Sequence, residues 1–273
     1  MTTAGPSMDG TLTDGTLRDR ALRDDVIPAV VPGALAGRVV LITGATGGLG
    51  QAAARACTQA GATVVLLGRK VPKLNRAYDA VRMLGAEPAI YPLDLAGAGP
   101  ADFEAMADRI EADLGGLHGI LHCAVEFTGL RPLDLTPPED FARQLHVALT
   151  APWLLTQACL PSLRRQADSA VVFVLDDPAR VQRAYWGPYG VAKAGLAALA
   201  RQLHEETDSG PVRVAALEPG PMRTDLRSRA FVEEAATGCP QPSRYAPACV
   251  HLLSAAGSDR RGQVWAPRAQ VAA

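Results

Sequence analysis

From Arg38 onward, short runs rich in Val, Ile and Leu alternate with longer Ala-rich stretches of helical pattern. Strands are expected at Arg38–Thr43, Ala62–Leu67, Pro88–Pro92, Leu117–Cys123, Ala170–Leu175, Val212–Leu217 and a short Gly262–Trp265. Helices are expected at Leu49–Ala60, Lys73–Leu84, Pro100–Leu114, Pro138–Arg165, Tyr189–Glu206 and Ala246–Ala255. Strands separated by full-length helices join through right-handed crossovers, which yields a parallel sheet covered by helices on both faces. The expected class is α/β, a doubly wound sheet.

The chain has 273 residues, and Met1–Leu35 stands apart from the rest. It is rich in Thr, Asp and Gly and repeats Asp9-Gly10-Thr11-Leu12 as Asp14-Gly15-Thr16-Leu17. Residues 1–35 therefore read as a disordered or loosely attached leader. The five aspartates up to Asp25, with no apolar block before a small-residue cleavage site, do not form a secretory signal. Residues 36–273 form one domain, the size of a complete doubly wound unit with no remainder for a separate substrate domain.

The turn after the first expected strand reads Thr43-Gly44-Ala45-Thr46-Gly47-Gly48-Leu49-Gly50 and opens an Ala-rich helix. Glycines there let the backbone turn tightly and approach a pyrophosphate, while the helix N-terminus supplies N–H donors and a partial positive charge. This is a Rossmann-like arrangement. Thr43, Gly44, Thr46, Gly48, Leu49 and Gly50 are the candidate cofactor contacts. The second strand ends in Gly68-Arg69-Lys70, where a cofactor without a 2′-phosphate calls for a carboxylate and one with it calls for a base. Arg69 thus favours NADP(H) over NAD(H). Asp94 and Leu95, at the carboxyl edge of the third strand, are candidate contacts for the adenine.

Tyr189-Gly190-Val191-Ala192-Lys193 opens a helix, so a phenol and an ammonium four residues apart share one face. A phenol with an unperturbed pKa of about 10 is a poor acid or base at neutral pH, and a neighbouring ammonium favours its ionised form. Tyr189 and Lys193 are therefore candidate catalytic residues.

Over roughly 36–265 the sequence resembles the short-chain dehydrogenase/reductase family. The resemblance rests on the Thr-Gly-x-x-x-Gly-x-Gly turn, Asp94, the Tyr189/Lys193 pair, and Pro219-Gly220-Pro221-Met222-Arg223-Thr224. Leu66-Leu67-Gly68-Arg69, Leu155-Thr156-Gln157-Ala158, Tyr185-Trp186-Gly187-Pro188-Tyr189 and Arg223-Thr224 with Ala230-Phe231 are similar to the family's bacterial YciK-type branch. The resemblance implies an NADP(H)-dependent oxidoreductase acting on a small-molecule carbonyl or alcohol. It implies that Tyr189 exchanges the proton, that Lys193 holds the nicotinamide ribose, and that Pro219, Gly220 and Thr224 contact the nicotinamide end.

The sequence departs from the family in one place three times. The hydroxyl expected about 13 residues before the tyrosine is Asp176, beside Asp177, and no Ser or Thr occurs between Ala170 and Pro188. Ala148 stands at the position of the family's helix asparagine, and Cys123-Ala124-Val125 replaces Asn-Ala-Gly. An ionised Asp176 cannot donate to a carbonyl, and at about 5 Å and an effective dielectric of about 20 it would oppose a phenolate by about 3 kcal/mol. Kept protonated in apolar surroundings it could donate; paired with Arg180 or Arg183 it would be structural. Three readings stay open: a reductase with a rebuilt site, a dinucleotide-binding protein with little catalysis, and a scaffold.

Composition narrows the partners. A net charge of −1 excludes a broad basic footprint, so neither nucleic acid nor an anionic membrane is an expected partner. Apolar runs fall well short of the roughly 20 residues of a membrane span, and the chain reads as soluble and cytoplasmic. The five cysteines lack C-x-x-C or metal-ligand spacing and read as reduced, buried thiols. His118 and His122 on one strand read as structural. Arg223, Arg227 and Arg229 read as a solvated basic loop, with an anionic substrate as the alternative. Trp153 and Leu154 read as core. The small residues of the Tyr189–Glu206 helix suit close packing. Together with the helix Pro138–Arg165, that stretch resembles the pair through which the family forms homodimers or homotetramers.

Overall fold

The structure is a computed structural model that describes residues 26–232 and 238–267. Seven strands form one parallel sheet in the order β3-β2-β1-β4-β5-β6-β7. The strands are β1 (Val39–Thr43), β2 (Thr63–Gly68), β3 (Ala89–Pro92), β4 (Gly119–His122), β5 (Ser169–Val174), β6 (Val212–Leu217) and β7 (Val264–Trp265). The helices are α1 (Gly48–Gln59), α2 (Val71–Arg82), α3 (Pro100–Leu114), α4 (Pro138–Leu145), α5 (Ala151–Arg165), α6 (Pro178–Val181), α7 (Gly187–Thr207), α8 (Asp225–Ala230) and α9 (Ala246–Leu253). Strand ends fall within about two residues of those read from the sequence, as local patterning allows.

The strands are continuous apolar runs because both faces of the sheet are covered. On one face Val40, Ile42, Val64 and Leu66 pack with α1, α2 and α9; on the other Leu41, Leu67, Ile120 and Phe173 pack with α3, α5 and α7. β1 lies between β2 and β4, with Ile42 level with Leu66 on one side and Leu121 on the other. At this reversal of strand order the crossovers leave in opposite directions and open a crevice beyond the carboxyl ends of the strands. At the amino edge of the sheet, Asp168 gathers two arginines. Arg213 donates to it at 2.6 and 3.1 Å and also to the carbonyls of Leu252 and Ser254, and Arg38 donates to it from β1's side.

Three expectations are corrected. The helix expected over Pro138–Arg165 is interrupted by a π turn at His146–Thr150. Pro152 has no N–H to continue the ladder, and the amide of Ala151 reaches back five residues to His146. Residues 26–35 are not a loose leader: Leu35 is fully buried, its amide donates to Ala60 at 2.8 Å, and Ile27 and Val30 lie against the core. The earlier leader residues lie outside those described. Trp153 is not core. The buried side of α5 is Ala151, Pro152, Leu155, Thr156 and Cys159, which turns Trp153 outward to 48% exposure, whereas Leu154 packs partly against the core.

Candidate active site

The crevice is a cleft of about 610 Å³ at the carboxyl edge of the sheet. Its floor is the turn between β1 and α1. Gly44 has φ +63°, and a Cβ there would lie 2.8 Å from the Cα of Ala124; a Cβ on Gly50 would lie 2.3 Å from the carbonyl of Gly44. These positions admit only glycine. Gly47 caps α1 without a side-chain acceptor, and the first turn holds no acidic residue, so the helix end presents its N–H groups to the cleft. Gly44, Thr46, Gly48, Leu49 and Gly50 all line it. Thr43 does not: it is buried, and its hydroxyl accepts from the amides of Cys123 and Ala124, both at 3.1 Å, which ties the turn to the end of β4.

The cleft extends past the carboxyl end of β2, where Arg69, Lys70 and Lys73 line it, and past β3, where Asp94 and Leu95 do. Asp94 also accepts from the amide of Ala96 at 3.1 Å, a local turn that fixes its carboxylate. Pro219, Gly220 and Thr224 line the cleft on the β6 side, and Thr224 caps α8 by accepting from the amide of Arg227.

Tyr189, Lys193 and Asp176 meet at the centre. β5 ends just before Asp176, and α6 and the start of α7 fold back over it. The Tyr189 hydroxyl donates to Asp176 Oδ2 at 2.7 Å, while Asp176 Oδ1 accepts from Arg180 and, at 2.8 Å, from the amide of Asp177. Asp176 is thus an arginine-paired carboxylate facing the phenol. Arg183 bonds instead to the carbonyl of Ala179. Burial and then Asp176 push the Tyr189 pKa well above its usual 10, with Arg180 acting against them. Lys193 Nζ donates to the carbonyl of Val174 at 2.6 Å and lies 5.7 Å from the centre of the Tyr189 ring. Burial lowers the Lys193 pKa, opposed by Asp176 and Cys123. Ala148 sits buried within the π turn and offers no polar group.

Sequence reasoning missed the aromatic frame. Phe127 and Trp186 stand 5.3 and 5.5 Å from the Tyr189 ring, and Phe231 packs 6.2 Å from Trp186. Trp186 precedes Tyr189 by one helical turn, which was the available signal; Phe127 is close only in the fold. Tyr185, with φ +75°, makes the sharp entry into α7, its carbonyl accepting from Arg131 at 2.9 Å. The basic loop is not simply solvated. Arg229 donates to the carbonyl of Phe127 at 2.9 Å, and the Arg227 guanidinium lies 4.5 Å over the Phe231 ring. His118 Nδ1 accepts from the amide of Val39, and buried His122 pairs with Thr156 at 2.9 Å and stacks on Phe173. Burial, then Lys193, lowers the His122 pKa to about 3. The five cysteines are free thiols; Cys123 lines the cleft, and burial pushes its pKa up to about 12.

Residues 38–235 match the family of short chain dehydrogenases. The chain belongs to that family. Oxidoreductase YciK of Escherichia coli (strain K12) is 31% identical over 225 residues, 82% of this chain and 88% of that one. Among solved structures, a short chain dehydrogenase from Pseudomonas syringae superposes with a TM-score of 0.84 at 36% identity, covering 89% of this chain and 98% of the other. A short chain dehydrogenase from Shigella flexneri 2a, solved as a complex with NADP, gives 0.83 at 29% identity over 88% and 100%. The fold and YciK-branch kinship expected from the sequence both hold. In this short chain dehydrogenase a carboxylate, that of Asp176, lies beside Tyr189.

Proposed function

We propose that this short chain dehydrogenase is an NADP(H)-dependent oxidoreductase acting on a small-molecule carbonyl or alcohol at Tyr189. The observation that carries the reading is one cleft that holds a glycine cradle, a basic group of three side chains and a buried Tyr/Lys pair. The cradle fits a dinucleotide: its Cβ positions are closed and its helix N-terminus faces an open space. Arg69, Lys70 and Lys73 suit a 2′-phosphate, and neighbouring solved structures of the family carry NADP and NADPH. Bound there, the dinucleotide would supply or accept a hydride. Asp94 and Leu95 would face the adenine, Pro219, Gly220 and Thr224 the nicotinamide end, and Lys193 the ribose. Tyr189 would pass a proton to or from the substrate oxygen. Phe127, Trp186 and Phe231 give the substrate an apolar, aromatic wall that excludes water.

A second reading, a protein that binds NADP(H) as a sensor or scaffold with impaired catalysis, is favoured by the carboxylate on the Tyr189 hydroxyl and by Ala148. The two separate in one experiment: NADPH binding by fluorescence, followed by NADPH oxidation with a panel of aldehydes and ketones. Turnover that Tyr189→Phe abolishes supports the oxidoreductase. Binding without turnover, with turnover gained by Asp176→Ser, supports the second reading. Absence of NADPH binding refutes both. We further propose a cytoplasmic homodimer or homotetramer; no helix among the described residues is long and apolar enough to cross a membrane. Trp153 on α5 and Val191 on α7, 48% and 50% exposed, are the apolar side chains such an assembly would cover.

A further inference from the structure

The hydrogen bonds around Asp176 have a direction. A carboxylate only accepts, and here one oxygen accepts from Arg180 and the amide of Asp177 while the other accepts from Tyr189. Arg180 and the Asp177 amide both donate to Oδ1, which leaves Oδ2 to accept from Tyr189, so the proton in the Tyr189–Asp176 bond is the phenol's. Removing it would leave two anions 2.7 Å apart, at a side chain only 4% exposed. The neighbouring cations are committed elsewhere. Arg180 sits on the far oxygen of Asp176, Lys193 is given to the carbonyl of Val174, and Arg229 is given to the carbonyl of Phe127. Arg227 lies over Phe231; Glu126, another carboxylate lining the cleft, is held by Arg143 at 3.2 Å; and burial pushes the Cys123 thiol pKa up to about 12.

We propose that Asp176 and Arg180 are a positioning pair that keeps Tyr189 a neutral proton donor, so that this site works in the direction of carbonyl reduction over a wide pH range. The proposal deepens the oxidoreductase reading and rests on it. In reduction, a bound reduced dinucleotide would supply the hydride, its own C–H bond breaking as it is oxidised while a C–H bond forms at the carbonyl carbon and the carbonyl π pair moves to oxygen. That oxygen takes the Tyr189 proton, and the phenolate regains one from water. Alcohol oxidation needs the phenolate first, as base, and burial together with the Asp176 carboxylate disfavours that form. A hydroxyl at position 176 would carry no such charge. The overall equilibrium is unaltered; what the pair sets is the pH range in which each direction finds Tyr189 in the required form.

The test is an NMR titration of the cofactor-free protein labelled with ¹³Cζ-tyrosine, from about pH 6 to about pH 11, the Tyr189 signal being assigned with Tyr189→Phe. The wild-type signal is expected to stay at the phenol position through about pH 10. Asp176→Asn, which keeps the shape and an acceptor, and Asp176→Ser are expected to lower the midpoint by about one unit or more. A wild-type signal that titrates below about pH 10, or neutral variants indistinguishable from wild type, overturns the proposal. With a turned-over carbonyl, the reduction rate of wild type is expected to stay level towards alkaline pH while that of Asp176→Ser falls. The titration needs neither NADPH nor substrate, so failure of the oxidoreductase reading and failure of the pair are read separately.

Discussion

Replacing Arg69 with alanine tests how the cleft distinguishes its two possible dinucleotides. Arg69 is exposed at the rim, just past the carboxyl end of β2, with Lys70 and Lys73 beside it. A 2′-phosphate carries about −1.5 to −2 charges, and unit charges about 4 Å apart in water interact by about 1 kcal/mol. Because Arg69 is exposed, the bulk dielectric applies, and its contribution comes to about 1.5–2 kcal/mol. At about 1.4 kcal/mol per factor of ten, Arg69→Ala is expected to weaken NADPH roughly 10- to 30-fold. NADH, which lacks the phosphate, should bind both proteins equally. Isothermal titration calorimetry of each dinucleotide measures this, and the gap should narrow at about 1 M salt, where the Debye length falls to about 3 Å. Equal losses for NADPH and NADH would refute the electrostatic argument, as would an unchanged NADPH affinity.

Three other substitutions probe the frame. Asp168→Ala leaves Arg213, whose side chain is 6% exposed, without its anion. Because Asp168 is itself 31% exposed, the usual cost is discounted to about 2–3 kcal/mol, or about 5–10 °C in melting temperature by calorimetry. Burial alone would raise the Asp168 pKa, but bonds from Arg213 and Arg38 hold it below the usual range. Its stabilisation is therefore complete above about pH 4 and is lost as pH falls through the lower folded value, so the two melting temperatures should converge only in acid. Thr43→Val leaves the amides of Cys123 and Ala124 without their acceptor and is expected to cost about 1–3 kcal/mol in urea unfolding. Trp153→Glu combined with Val191→Asp should reduce the mass seen by light scattering to that of a monomer; a wild type already monomeric removes the proposed assembly.

The legibility of the site followed the range of its interactions. The glycine turn, Arg69, Asp94 and the Tyr189/Lys193 pair are spaced by local geometry, and all line one cleft. Thr43 was read as a cofactor contact because it belongs to the same motif, yet its hydroxyl faces the backbone of the neighbouring strand. Phe127 gave no sign of its role, because its contact with Tyr189 crosses 62 positions of chain. Trp153 was misread because an α5 side chain's exposure depends on which face the neighbouring elements cover.

By itself the sequence determined the alternation of strands and helices, the parallel sheet, the dinucleotide turn and the family, since each is encoded by residues a few positions apart whose periodicity and backbone preferences act locally. Only the tertiary structure decided the rest. It seated Leu35 in the core and chose Arg180 over Arg183 as the partner of Asp176. It also turned the carboxylate onto the Tyr189 hydroxyl. Those outcomes depend on which groups are excluded from water together and on which acceptor a buried donor can reach, and both are properties of the packed chain.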